Sequence, residues 1–318
     1  MRASFKIIFI LISIIIIFLI YLSFIGIETN KFNNQISKKI KNVNKNLDLD
    51  LKKIKITLNP FKFKINAKTV GSRLKFEKKI IDLEVVKAQI SLISYLNSEF
   101  SLENLEISTK SLEIKNLLSF VREFHNSPQL YIFEKITKKG YVIANLKLNF
   151  DKAGKLKNSA QINGFIRDIN LSFLKRYNIE KLNFNFDYDG SRFIAQNISL
   201  DLNNLNFISK KISVKKVDDV FLIKGQLQNE NLELNKKEID FFLKDNFLNS
   251  NIDKIIFNSN NEFSFKINKN LNLKDFQAIS NLRFKEIIIL KDLKLKKILP
   301  KSKEMINLSN HDVKITYK

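Results

Sequence analysis

The stretch "LKKIKITLNPFKFKINA", Leu51 to Ala67, decides the fold class. Apolar side chains sit at even positions in Ile54, Ile56 and Leu58. Beyond Asn59-Pro60 they sit at odd positions, in Phe61, Phe63, Ile65 and Ala67, and lysines fill many of the gaps. A period of two gives a strand one oily face and one polar face. Pro60 has no amide hydrogen for a ladder, so it belongs at a strand start, an edge or a bulge. A change of parity there keeps both oily faces on one side while the chain turns. The stretch therefore reads as two strands joined at a proline, with one shared apolar face that something has to cover.

The same writing continues downstream. Leu102, Leu105 and Ile107 alternate imperfectly. Leu146, Leu148 and Phe150 alternate cleanly, as do Ile169, Leu171 and Phe173, then Leu182, Phe184 and Phe186, then Ile198, Leu200 and Leu202, and finally Phe263, Phe265 and Ile267. "LKLNFDKAG" at 146–154 matches "LNFNFDYDG" at 182–190, which suggests a repeated strand, Asp-x-x-Gly turn and return strand. The repeat extends loosely through "AQ" at 160–161 and 195–196, and through "NLSF" at 170–173 and "NLNF" at 204–207.

Helical patterns are few. "NLLSFVREF", Asn116 to Phe124, gathers Leu117, Phe120, Val121 and Phe124 on one side, and Pro128 ends that region. "KKEIDFFLKDNF", Lys236 to Phe247, forms a second short helix. Neither covers a sheet of this extent, so the body from residue 49 reads as one continuous β domain.

Upstream, Ile7 to Ile27 carries no charged side chain. At about 1.5 Å per residue such a run spans roughly one bilayer core. It is longer than the apolar region of a cleaved signal and lacks its small-residue site, which favours an uncleaved anchor over residues 1–28. Arg2 and Lys6 place the N-terminus in the cytoplasm and the bulk of the chain outside it. Phe32, Ile36, Ile40, Val43 and Leu47 then mark one face of an amphipathic helix over residues 29–48. Thr29 or Asn30 is placed to cap it, and it packs on the end of the sheet. The β domain occupies 49–318.

Composition narrows the function. The chain has 318 residues, a net charge of +23 and 55 basic residues. Few of these are arginine, and the lysines are spread along the chain rather than gathered in a patch. That argues against a nucleic-acid interface. Zero cysteines exclude disulfides and thiolate metal sites. No nucleophile elbow, zinc-helix motif or phosphate loop is present. His125 and His311 stand alone, without a cysteine or a second histidine nearby. "DYDG" at 187–190 reads as a turn, since a calcium loop needs an acid at its twelfth position, where Ile198 stands. Asp48 and Asp50 read as a solvated strand entrance. The expectation is a protein with no catalytic residue, no metal and no cofactor.

The order of features over residues 5–115 resembles the N-terminal region of the AsmA-like family, which includes AsmA, TamB and YhdP. The apolar span "IIFILISIIIIFLIYLSFIGI" and the amphipathic "KFNNQISKKIKNVNKNL" come first. The strand–Pro–strand hairpin follows, and then "LEVVKAQISLISYLNSEFSLENLEIST" as strand, short crossover and strand. Leu92 and Leu96 hold that crossover. The rest of the chain matches in style alone, nearest to the YhdP-like branch. The resemblance implies a mainly β fold: a transmembrane helix, then a long, highly twisted, mostly antiparallel sheet curled into an open apolar groove, with a few short helices. It also implies a single-pass inner-membrane protein with its bulk in the periplasm. Its partners would be phospholipid acyl chains, the inner membrane and envelope proteins, and its task lipid transport between membranes and outer-membrane homeostasis. Family members are usually longer, which implies a fragment or a short member working with partners. The groove lining would comprise Ile54, Ile56, Leu58, Phe61, Phe63, Ile65, Leu146, Leu148, Phe150, Phe184, Phe186, Ile198 and Leu200. A different reading of the same features is a non-enzymatic envelope scaffold or assembly factor for outer-membrane proteins.

Overall fold

The computed structural model describes residues 2–43, 45–77, 79–124, 127–157, 159–173, 177–243, 251–268, 270, 272–290, 297–298, 301 and 305–317. The elements are α1 (Arg2–Phe24), β1 (Ile27–Thr29), α2 (Asn33–Val43), β2 (Leu47–Asp50), β3 (Ile54–Asn59), β4 (Lys64–Val70), β5 (Arg73–Phe76) and β6 (Lys79–Ser91). Next come α3 (Leu92–Leu96), β7 (Leu102–Thr109), β8 (Leu112–Glu113), α4 (Ile114–Phe124), α5 (Pro128–Ile136) and β9 (Thr137–Asn149). The long strands follow: β10 (Gln161–Phe173), β11 (Tyr177–Tyr188), β12 (Arg192–Leu202), β13 (Leu205–Val217) and β14 (Val220–Asn235). The chain continues with α6 (Lys236–Leu243), β15 (Ile252–Asn268), β16 (Leu273–Leu290) and β17 (Met305–Tyr317). The protein is mainly β, built on one long open antiparallel sheet. It divides into two compact units, Met1–Leu171 with Phe186–Ser191, and Ser172–Asn185 with Arg192–Lys318.

In the first unit the ladder runs β1–β3–β4–β6–β7–β9–β10. Strands β2 and β5 pair beside the start of β6. The opening hairpin forms as the parity change requires: Ile56 faces Ala67 and Leu58 faces Ile65, so even positions on β3 share a face with odd positions on β4. The alternation read at Phe61 and Phe63 is corrected, however. Both residues lie in the turn, 96% and 58% exposed, and Phe63 has a φ of 50°. The strand face resumes only at Ile65.

A helix-covered core closes one end of this unit. Phe76, Ile81, Leu83 and Phe120 are buried together, with Leu47, Leu49, Leu74, Val86, Ile107, Leu112 and Leu117 packed around them. Phe120 and Leu117 come from α4, the helix expected at 116–124. Pro128 does not end that region but opens α5, since its missing amide is harmless in a first turn and Ser127 Oγ accepts from Leu130 N at 3.3 Å. Glycine is required at Gly140, where a Cβ would lie 2.8 Å from the Ile169 side chain. Helix α2 lies against β2: Asn33 Nδ2 donates to Leu51 O and Lys52 O, each at 2.9 Å. Thr29 Oγ1 accepts from Lys31 N, ahead of the helix rather than inside its first turn.

The second unit is a meander, β12–β13–β14–β15–β16–β17. Helix α6 starts on a capping box, in which Asn235 Oδ1 accepts from Lys237 N and Glu238 N while Glu238 Oε2 accepts from Asn235 N. It buries Ile239 to 2% exposure. Its expected continuation to Phe247 lies outside the described residues, as does His125.

The parity change seen at Pro60 recurs inside single strands. Asp168, Lys181, Asn197, Asn231, Asp275 and Asn310 each adopt a φ of 49–59° in mid-strand. Asn and Asp tolerate this left-handed conformation better than other non-glycine residues. On β14 the apolar positions run Phe221, Ile223, Leu227 before Asn231, and Leu232, Leu234 after it. Their partners on β15 stay odd throughout, at Ile267, Phe265, Asn261, Phe257 and Ile255, because the ladder slips by one at Asn231. Similar slips fall at Asp168 and Asp275. A bulge of this kind returns the oily stripe to the same face. The expected repeat holds for the strand alone, since Asp187, the counterpart of Asp151, still lies within β11 and the turn after it uses Asp189. Asp151 Oδ1 accepts from Ala153 N and Lys155 N at 2.9 Å, and Asp189 Oδ1 accepts from Ser191 N at 3.1 Å. Beyond the turn the units part: "NLSF" closes β10, whereas "NLNF" opens β13.

Candidate functional site

Register turns scattered alternations into continuous rows. In the first unit, one row runs Ile27–Ile56–Ala67–Ala88–Leu105–Leu148 across six strands. The next runs Ile54–Thr69–Val86–Ile107–Leu146–Ile162. A third, Leu58–Ile65–Ile90–Leu102, lies nearer the turns. Val86 and Ile107 sit at the edge of the core under α4. Away from it, Ile56, Leu58, Ile65, Ala67, Ala88, Ile90, Leu105, Leu146 and Leu148 are all half-buried, against 2–6% exposure for Phe76, Ile81 and Leu83.

The reverse face is polar. Lys55, Lys68, Lys87, Glu106 and Lys147 form a row there, with Lys87 and Lys147 3.4 and 3.8 Å from Glu106. Beside it Gln89 donates to Asn66 at 3.1 Å and Asn104 to Asn149 at 2.8 Å. All of these side chains but Asn149 line a shallow hollow of about 500 Å³. The lysine excess is thus a solvated face interleaved with carboxylates and amides.

The second unit writes its apolar face differently. Phe193–Val214–Ile223–Phe265 and Ala195–Ile212–Gly225–Phe263–Ala278–Tyr317 lie in register. Rings pair along it: Phe263 with Phe265 at 5.9 Å, Phe265 with Phe276 at 6.2 Å, and Phe276 with Tyr317 at 5.5 Å. A polar belt then interrupts the face. Asn261 Nδ2 donates to Ser259 Oγ at 2.7 Å, and Ser259 Oγ donates to Asn229 Oδ1.

Of the expected lining residues, Ile56, Leu58, Ile65, Leu146 and Leu148 come together on the first unit's face. Ile54 joins them but is 4% exposed, already enclosed by protein. Phe150 is half-buried and pairs with Phe100 at 5.6 Å. Phe61 and Phe63 are at the turn. Phe184 pairs with Phe193 at 6.4 Å in the second unit, where Ile198 is 5% exposed and Leu200 faces Phe207. Phe186 is half-buried and belongs to the first unit. Sequence reasoning missed the β6 contribution, Val86, Ala88 and Ile90, because the double valine in "LEVVKAQIS" blurs its period.

Carboxylates near the rows are structural. Asp50 lies 2.9 Å from Arg73 and 3.4 Å from Lys75. The Ser37 hydroxyl, 2.6 Å away, and then Lys41 hold the Asp48 carboxyl below the ordinary carboxylate range. The two acids are therefore separately partnered and do not form a coupled acid pair. On β12, hydrogen bonds from Lys181 and then Asn206 lower Asp201 in the same way.

No family model, no curated protein and no solved structure matches this chain.

Proposed function

We propose that this chain is a membrane-anchored, non-enzymatic lipid carrier whose half-open apolar sheet face holds phospholipid acyl chains between the inner and outer membranes. The proposal follows the AsmA-like resemblance, with the β body in the periplasm. The observation that carries it is the row Ile27–Ile56–Ala67–Ala88–Leu105–Leu148, unbroken across six strands, with Ile27 exposed and the other five only half-buried. Each methylene kept from water is worth about 0.8 kcal/mol, so a chain leaving a bilayer needs such a wall along its path. Helix α1 is long and apolar enough to cross a membrane, which supplies the tether. The mid-strand bulges support a curled wall, since a bulge bends its strand and increases local twist.

A photoreactive benzoylphenylalanine placed at Leu105 or Leu148 in cells tests this reading. The expected result is a phospholipid adduct at both positions and none at Lys87, which points to the other face. Absence of lipid adducts at Leu105 and Leu148, or equal labelling at Lys87, would overturn it. A protein adduct in their place would favour the envelope-scaffold reading.

A further inference from the structure

The end of the first unit nearest α1 is oily where soluble proteins are polar. Phe61 and Phe63 occupy the β3–β4 turn at 96% and 58% exposure. Beside them α3 exposes Ile93 by 52%, Tyr95 by 68% and Leu96 by 79%. These two pieces are joined, because Leu92 N donates to Phe63 O at 2.9 Å and Lys64 pairs with Ser91. Ser91 caps α3 by accepting from Ser94 N, which fixes the helix on the strand end. The patch is therefore a held surface.

Its position relative to the anchor follows from strand direction. β1 is antiparallel to β3, with Thr29 opposite Ile54 and Ile27 opposite Ile56. Followed backwards, the chain therefore leaves the sheet toward the Pro60 turn. Gly26 is pressed on β3 there: a Cβ would lie 2.4 Å from Ile56 O and 2.7 Å from Thr57 Cγ2. From Thr57 to Phe61 is four residues, at most about 14 Å even fully extended. The end of α1 and the aromatic tip thus share one end of the sheet.

We infer that the tip formed by Phe61, Phe63, Tyr95 and Leu96 dips into the membrane leaflet from which α1 emerges, giving the body a second lipid contact. Phe and Leu enter the acyl boundary, Tyr prefers the headgroup level, and Lys62 between the two phenylalanines can lift its ammonium to the phosphates. The row Leu58–Ile65–Ile90–Leu102 ends at this tip, so the leaflet and the apolar face become continuous. The inference rests on α1 spanning the membrane but not on carriage of acyl chains.

The chain has no cysteine of its own, so single-cysteine variants can be labelled cleanly. Full-length Phe61→Cys, Leu96→Cys, Phe24→Cys and Lys138→Cys would carry an environment-sensitive dye. Each is reconstituted in phosphatidylethanolamine–phosphatidylglycerol vesicles, and only protein floating with the vesicles is measured. Lipids bearing a shallow nitroxide should quench Phe61→Cys and Leu96→Cys about twofold or more, as an interfacial depth of a few ångströms requires, and leave Lys138→Cys unchanged. Unquenched dyes at Phe61 and Leu96 overturn the inference. If Phe24→Cys is quenched in that case, the span survives without the tip; if it is not, the span reading falls too. Protection of the tip dyes from aqueous iodide without lipid quenching assigns the patch to a second copy of the chain, and equally overturns it.

Discussion

Under α4, the first unit buries Phe76, Ile81, Leu83 and Phe120 to 2–6% exposure, a conventional core between a helix and strands. The second unit has a smaller counterpart, in which α6 buries Ile239 at 2% and Leu232 is 8% exposed. Most of its face is instead a line of paired rings broken by Asn229, Ser259 and Asn261. The difference shows two ways to keep a sheet face from water. Dense packing under a helix seals it, and ring pairs at 5.5–6.2 Å half-shield it. Polar groups are tolerated on the second kind of face at a cost, and Asn229 Nδ2 has no hydrogen-bond partner among the described residues.

The largest test of this contrast is Leu83→Ala, which leaves a cavity in the sealed core and should cost about 3 kcal/mol. Phe265→Ala removes a half-exposed ring and should cost about 1–2 kcal/mol. Denaturant unfolding followed by hydrogen exchange in each unit separates the two, and equal losses would break the comparison. Added phospholipid should restore protection around Phe265→Ala but leave the Leu83→Ala loss unchanged.

The bulges come next. Asn231→Val forces a branched side chain into φ 50° and should cost about 1–2 kcal/mol, whereas Asn231→Gly should lie within a few tenths. Equal effects of the two substitutions would show that the left-handed geometry carries no strain.

The smallest effect belongs to Asp201. Lys181 lies 2.9 Å from it and is itself largely exposed, so Asp201→Asn should cost about 0.5 kcal/mol at neutral pH. Because the folded carboxyl titrates below its unfolded value of about 3.9, this stability is whole above that value. It disappears as pH falls through the lower folded value. Wild type and variant should therefore converge in acid, and a gap that persists there would assign the effect to packing.

Much of the fold was legible in residues. Period-two writing marks β3, β7, β9 and β15, and the charge-free run marks α1. What the sequence concealed has physical causes. Alternation ran on through Phe61 and Phe63 because a turn can carry exposed apolar residues at alternate positions without their joining a strand face. Pro128 served as a terminator on paper and as a first-turn residue in space. Three residues, Ile27 to Thr29, are too few to announce a strand, yet they join the ladder and set where α1 meets the sheet. The candidate face was half legible. Period identifies which residues share a side of one strand, but only cross-strand register shows that Ile56, Leu105 and Leu148 fall in one row.

The left-handed residues inside the strands have a further consequence. A sheet whose ladder slips at Asp168, Asn231 and Asp275 does not depend on an unbroken count of residues along each strand. Adding or deleting one amino acid at such a hinge point shifts the phase locally, and the neighbouring ladder can absorb the change by moving where it slips. Such a sheet tolerates length variation that would turn an ordinary amphipathic strand inside out.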